Sequence, residues 1–426
     1  MRNKILTLAL MVIGLLVLAL VTRSGDIAWM ALPFLAYLAL GLWQSPMASR
    51  VRLSAARSLE ISRSGGLATV EVTVKVSNQG ASIAALCLAD ELQPGMALTA
   101  GQTRQVVALQ PGEETELKYT FQSERGNFTW ETLGAVASDP LGLVETPLEL
   151  NAPARAQVQP DLSRFRPFPL HPLTTLHSAG SIPAHLGGSG TDFWGVRQYQ
   201  PGDSLRRLDW RRTARHPGQF FTREFEQEEI ADVGLILDAR CKTNLNLGDE
   251  SLFEHSARAA ASLAEVFLRQ GNRVSLVIYG QRDVNLYPGY GKRQLNRILA
   301  ALAQVKVGPD AKVDNLQLVP LHIFSSRSLI LVLSPLAAND WLLFPRLRAY
   351  GFQVLLISPD PLDYARSLLP SDRLSGMAAR LASLERRIEI GKISALWIPV
   401  IDWQVSQPLS PLVRSALLHS YVRQDQ

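Results

Sequence analysis

The sequence predicts a multidomain chain: a transmembrane helical hairpin, an antiparallel β-sandwich, and an α/β domain built on a parallel sheet. Three observations carry that reading. Two dense apolar runs open the chain, Ile5 to Val21 and Ile27 to Trp43. Short segments of alternating polarity follow, clearest in LATVEVTVKVS from Leu67 to Ser77, as expected for strands with one buried face. Beyond residue 231, continuous apolar strands alternate with amphipathic helices, the pattern of a parallel sheet covered on both faces. The expected boundaries are 1–45 for the helices, 58–150 for the sandwich, 151–230 for a connector and 231–426 for the α/β domain. A length of 426 residues accommodates this number of domains.

Each apolar run is near the short end of the roughly 17–25 residues that cross a bilayer as a helix. Few residues separate the runs, so a tight hairpin is expected. A cleaved signal peptide competes for the first run, because Arg2 and Lys4 precede it, but no small-x-small cleavage site follows. Arg2 and Lys4 before the first run, and Arg50, Arg52 and Arg57 after the second, outnumber Arg23 in the turn. Positive flanks stay on the cytoplasmic side, so residues 5–43 are expected to cross a membrane twice, with the soluble domains in the cytoplasm. Trp29, Tyr37 and Trp43 suit interfacial anchors. Cys87 and Cys241 form no spaced set, which argues against a disulfide framework or a cysteine zinc site; each is expected to be a small core residue.

After a basic linker from Ser45 to Arg57, strands are expected at Leu67–Ser77, Ala84–Ala89, Gln105–Leu109, Glu116–Ser123 and Phe128–Ala137, with Pro94-Gly95 and Pro111-Gly112 as turns. Residues 151–183 are proline-rich and aperiodic, as in a tether. His171 and His177 lie there at no compact ligand spacing. In the α/β domain, strands are expected at Asp232–Leu237, Arg273–Tyr279, Leu329–Leu333, Phe352–Ile357 and Ile393–Pro399. Helices are expected at Glu250–Arg269, Gln294–Gln304, Trp341–Tyr350 and Met377–Ile388, and after Pro411. A site in such a sheet forms at the carboxyl ends of the strands.

The segment from Gly187 to Glu229 crowds charged and aromatic residues between apolar regions. Seven arginines face seven acidic residues in it. Nucleic-acid binding needs an unpaired positive excess, because affinity comes from counterion release, so no nucleic acid is expected despite a net charge of +5 and a pI near 9.3. Two readings remain: a solvated, salt-bridged connector, or a partner-binding surface in which Phe193, Trp194, Tyr199, Trp210, Phe220 and Phe221 are interleaved with arginine, the hot-spot composition.

Within that segment, Arg197, Tyr199, Gly202, Asp203, Arg206, Asp209 and Trp210 spell an Arg-x-Tyr followed by Gly-Asp-x-x-Arg-x-x-Asp-Trp. This resembles the signature of the bacterial family called domain of unknown function 58; Arg215 continues the motif. Arg125-Gly126 followed by Asp139-Pro140-Leu141-Gly142-Leu143 is similar to the end of that family's β-domain. The resemblance implies a trailing doubly wound domain like a von Willebrand factor A domain, and an accessory role beside a MoxR-type AAA+ ATPase.

The metal site of such domains needs Asp-x-Ser-x-Ser, a threonine from a second loop and an aspartate from a third, because hard cations take oxygen ligands. The chain offers Asp238, with Arg240 and Lys242 at the serine positions. Tyr290–Arg293 has no threonine, and Ser334-Pro335 stands where the loop aspartate would be. No metal and no cofactor is therefore expected. Either Arg240 or Lys242 places its own charge where an ion would sit, or the site has lost its role.

Other motifs fall short. Gly289–Lys292 lacks the remaining Walker residues, Gly187–Gly190 lacks the nucleophile-elbow spacing and reads as a flexible lead-in, and Glu254-His255 lacks the second histidine of a zinc protease. His216 is expected in a turn, and Asp203 as a helix N-cap. The expected function is thus a membrane-anchored, non-enzymatic scaffold with no catalytic residue. The alternatives are an envelope enzyme using the Asp and Arg cluster, or a binder of acidic lipid or nucleic acid.

Overall fold

The computed structural model describes residues 2–43, 51–64, 66–139, 143–163, 165–168, 182–247, 250–280, 284–305, 307, 319–365 and 373–422. His171, His177 and Pro140–Gly142 lie outside the described residues. The chain divides into two compact units, Met1–Val158 and Gln159–Gln426.

In the first unit, α1 (Arg2–Thr22) contains one segment, Ile5–Thr22, long and apolar enough to cross a membrane. The second apolar run is divided into α2 (Gly25–Trp29) and α3 (Leu32–Trp43). Pro33 lacks the N–H needed to continue a helix from α2, and α3 at 12 residues is only about 18 Å long.

The strands are β1 (Leu53–Ser64), β2 (Leu67–Asn78), β3 (Ile83–Ala89), β4 (Ala97–Gly101), β5 (Arg104–Leu109), β6 (Glu114–Ser123), β7 (Gly126–Ser138) and β8 (Glu145–Val158). They form two four-stranded antiparallel sheets, ordered β1-β2-β6-β4 and β5-β3-β7-β8. The period-two pattern does what it predicts: Val70, Val72, Val74 and Val76 are buried, against Tyr119, Phe121, Phe128 and Trp130 from β6 and β7.

Two boundaries are corrected. β1 takes up the end of the expected basic linker, and β8 carries residues 151–158, expected in the connector, into the sheet. Arg57 is therefore not a membrane-flanking charge: its buried guanidinium pairs with Asp90 at 2.8 Å, donates to the Ala152 carbonyl and lies over the Trp130 ring. Cys241 is likewise not a core residue but exposed.

The second unit opens with a segment packed on its core. Phe165 and Phe168 are buried, Phe168 stands 5.8 Å from Phe267, and Arg269 donates to the Phe165 carbonyl, so this part of the expected tether is fixed. An antiparallel ribbon follows, β9 (Ile182–Gln198) with β10 (Phe221–Glu229), the latter preceded by α4 (Trp210–Arg215). Gly187 and Gly188, expected in a flexible lead-in, pair with Glu226 and Phe225 in this ribbon.

Then come β11 (Asp232–Asp238), the short ladder of β12 (Asn246–Leu247) and β13 (Glu250–Ser251), α5 (Leu252–Arg269), β14 (Arg273–Tyr279), β15 (Val284–Gly289), α6 (Gly291–Gln304), β16 (Leu329–Leu333), α7 (Leu343–Ala349), β17 (Gln353–Pro359), α8 (Pro361–Ala365), α9 (Arg373–Ser394), β18 (Val400–Trp403) and α10 (Leu409–Val422). The main sheet is ordered β15-β14-β11-β16-β17-β18, parallel except for β15 at one edge.

Strand residues alternate between two cores: Leu235 and Leu331 face the side of α5, α6 and α10, while Ile236 and Val332 face the side of α7. The expected strand at Ile393–Pro399 is corrected. α9 runs through Ser394, a turn closes with the Trp397 amide on the Ser394 carbonyl, and the strand starts at Val400.

Candidate functional site

Two clusters of the second unit carry the residues singled out from sequence. The first is the ribbon. Pro201 and Gly202 form a tight turn in which the Asp203 amide donates to the Gln200 carbonyl, and Gly202 takes φ 110°, a conformation glycine adopts freely. The turn delivers Asp203 to Arg197, whose Nη1 and Nη2 meet the two carboxylate oxygens at 2.7 Å, while Arg197 Nε meets Glu224 on β10 at 2.7 Å. The Arg197 side-chain bonds, aided by the Gln200 amide, hold the Asp203 carboxyl below its ordinary range. Asp203 and then Glu224, through their bonds to it, raise Arg197.

Asp203 is thus a turn and ion-pair residue, not the helix cap expected of it. Asp209 caps α4, accepting from the Arg211 and Arg212 amides at 3.1 and 3.2 Å. Tyr199 sets its ring edge-on to Phe220, and the exposed His216 ends α4, its Nδ1 on the Arg212 carbonyl.

On this frame the remaining motif residues point outward. Trp210 is 64% exposed, and Leu205 and Phe220 are also exposed. Arg206, Arg211 and Arg215 are exposed beside them, and among the described residues the ribbon's ion pairs are made by Arg197 and Arg223 instead. The seven-to-seven balance therefore conceals a division: one arginine is consumed in bracing the turn, and three are left available at the surface.

The second cluster sits where the strand order reverses, because β11 connects through α5 to β14 on one side and has β16 on the other. Such a switch point is where open α/β sheets bind ligands. Asp238 ends β11, and Arg240, two residues on, is fully buried. Arg240 Nε and Nη2 reach the two Asp238 oxygens at 2.9 and 2.7 Å, and Nη1 and Nη2 reach those of Asp340 at 3.0 and 2.6 Å. Burial pushes the guanidinium pKa down, but the bonds and charges of Asp238 and Asp340 outweigh burial and raise it.

Ser334, at the end of β16, donates its hydroxyl to Asp238 Oδ2 at 2.7 Å, and the Ala337 amide donates to Asp340. Opposite, Gly280 takes φ 145°, and a Cβ there would lie 2.6 Å from the Ala239 carbonyl carbon. Lys242 is exposed. The guanidinium fills the point where both carboxylates converge, so the donor set as arranged does not fit a resident divalent cation.

Two placements differ from expectation. Tyr290–Arg293 begins α6 after the antiparallel β15, whose end pairs with Val274 at the amino end of β14, so this loop lies at the opposite edge of the sheet from Asp238. Asp340 was missed: it stands 100 residues from Arg240, and its sequence signal was slight, an acid after Asn339 at φ 70° opening a short turn of helix. Among the described residues, no group of three or more His, Cys, Asp or Glu side chains is placed to hold a metal ion.

Comparison with known proteins points the same way as the ribbon motif. Residues 195–372 match the profile of DUF58, described as a protein of unknown function. That DUF58 span takes in both clusters, from Arg197 through Asp340. The uncharacterized protein YeaD of Bacillus subtilis is 27% identical over 168 residues, 38% of each chain. An uncharacterized protein of Mycobacterium tuberculosis is 30% identical over 135 residues, 29% of this chain and 41% of its own. The chain thus spans about two fifths of the length of these relatives. Among solved structures, the putative ApaA protein from Bordetella pertussis aligns over 25% of this chain and 94% of its own at 15% identity, with a TM-score of 0.19 that carries no argument.

Proposed function

We propose that this chain is a membrane-anchored, non-enzymatic adaptor that docks a protein partner on the ribbon surface of its second unit. The observation that carries the reading is the exposed Trp210, Leu205 and Phe220 beside Arg206, Arg211 and Arg215, mounted on the braced Arg197–Asp203–Glu224 turn. Exposed tryptophan and arginine on a rigid support are the composition and preorganisation of an interface hot spot. The DUF58 resemblance suggests a MoxR-type AAA+ ATPase as that partner, which would supply any ATP hydrolysis while this chain presents the client in assembly or maturation of protein complexes.

In the same proposal, residues 5–43 cross the inner membrane twice and the soluble domains face the cytoplasm. The second unit is a von Willebrand factor A-like domain whose metal position is degenerate. Its 3-2-1-4-5-6 strand order with an antiparallel edge supports that, as does the guanidinium at the switch point. The test is binding of the purified full chain in detergent to a purified MoxR-type ATPase. Trp210→Ala and Arg206→Ala are each expected to weaken it by about tenfold or more. Absence of binding by the parent, or turnover of a small substrate by the parent alone, would refute the reading.

A further inference from the structure

The apolar pattern of α9 is turned inside out. Leu374, Met377, Leu381, Leu384 and Ile388 are spaced three and four residues apart on one face, and all five are exposed, from 49% to 76%. The side turned toward the sheet carries Ser375, Ala379, Ala382 and Arg386, with Ile393 fully buried. Rolling the helix to hide its leucines is blocked by Arg386, which donates to the Pro335 and Ser358 carbonyls at 2.9 and 3.0 Å and meets Asp402 at 2.6 Å, tying α9 to the carboxyl ends of β16, β17 and β18. The leucine face is thus held outward.

We propose that α9 is a homodimerisation helix, pairing in parallel and in register with α9 of a second copy. The strict three-four spacing is the knobs-into-holes period and selects a helix as the occupant. A helix lying in a lipid surface presents a broader apolar face and a cationic rim, whereas this stripe is narrow and its flanks carry both signs, Arg380 and Arg387 with Glu385.

Charge complementarity selects the parallel arrangement. With Leu374 and Leu381 as first heptad positions, Arg380 of each copy meets Glu385 of the other, twice by symmetry. Lys392, which would face Arg387, is instead engaged by Glu389 of its own helix at 2.7 Å. An antiparallel pair sets the Arg380 and Arg387 edges against each other. Five such side chains on each of two helices withdraw on the order of 1,000 Å² from water, the lower bound of a specific interface.

The test uses the full chain in detergent with Cys87→Ser and Cys241→Ser, carrying one new cysteine. On oxidation, Leu374→Cys, Leu381→Cys and Ile388→Cys should each give a covalent dimer, whereas Gly376→Cys, off the stripe and with open space at its Cβ, should not. Leu381→Asp with Leu384→Asp should halve the mass by sedimentation and leave circular dichroism unchanged, because both positions are exposed. Three results each overturn the proposal: a parent that sediments as a monomer, cross-linking at 381 without 374 and 388, or a monomeric parent that binds phosphatidylglycerol vesicles and loses that binding in the double variant.

Discussion

Replacing Arg240 by Met keeps most of the side-chain volume and removes the guanidinium, leaving Asp238 and Asp340 buried without their counter-charge. Four bonds of 2.6–3.0 Å disappear, and both aspartates are almost fully buried, so solvation compensates little of the loss. Breaking a buried ion pair by removing one partner costs about 3–5 kcal/mol. For a unit of this size that is a fall in Tm of about 6–20 °C.

The assay is hydrogen exchange of the β11 and β16 amides in the full chain, because the two units need not unfold together. Adding Asp238→Leu and Asp340→Leu should restore most of the loss, since an apolar replacement of a whole triad is often neutral. A single variant within 1 kcal/mol of the parent at pH 7, or a deficit that the two leucines deepen, would refute the argument.

Three further outcomes follow from the same geometry. Calorimetry of the parent with magnesium or manganese should show no micromolar binding; heat that Asp238→Ala abolishes would mean that the guanidinium yields its place to a metal. Gly280→Ala should destabilise the second unit by about 1–3 kcal/mol, from φ 145° and the 2.6 Å approach to Ala239, and a neutral result in chemical denaturation would show that the loop relaxes. Asp203 has its carboxyl held below the ordinary 3.8, so its contribution is complete above that value and is lost as pH falls through the lower folded value. Exchange of the Tyr199 amide should therefore accelerate in strong acid in the parent and not in Asp203→Asn; equal acid sensitivity in both would contradict the role given to Arg197.

The sheets were legible where one rule dominated. Alternation gave β2 almost to the residue, and unbroken apolar runs gave β14 and β16, because burial on one face or on both leaves a plain signature. What failed had competing signals. Ile393–Pro399 is as apolar as a strand, but Ile393 belongs to the buried face of a helix begun 20 residues earlier, which only tertiary packing reveals. The ribbon escaped notice since its pairing of Arg223 with Val196 and of Thr222 with Arg197 is long-range and its glycines look like a loop. Arg197, Asp203, Asp209 and Asp238 were singled out from sequence, whereas Asp340 had no local pattern to distinguish it, and the outward turn of α9 is invisible without knowing what Arg386 grips.

The ribbon has a mechanical consequence. Ile230 and Ala231 alone separate β10 from β11, and Ala231 is buried, so any agent that seizes the ribbon tugs lengthwise on the central strand of the domain. That strand is laddered to parallel neighbours on both sides, and a lengthwise tug loads all those bonds together, in shear, instead of peeling them one at a time. The grip can therefore transmit force through the domain while the sheet behind it holds.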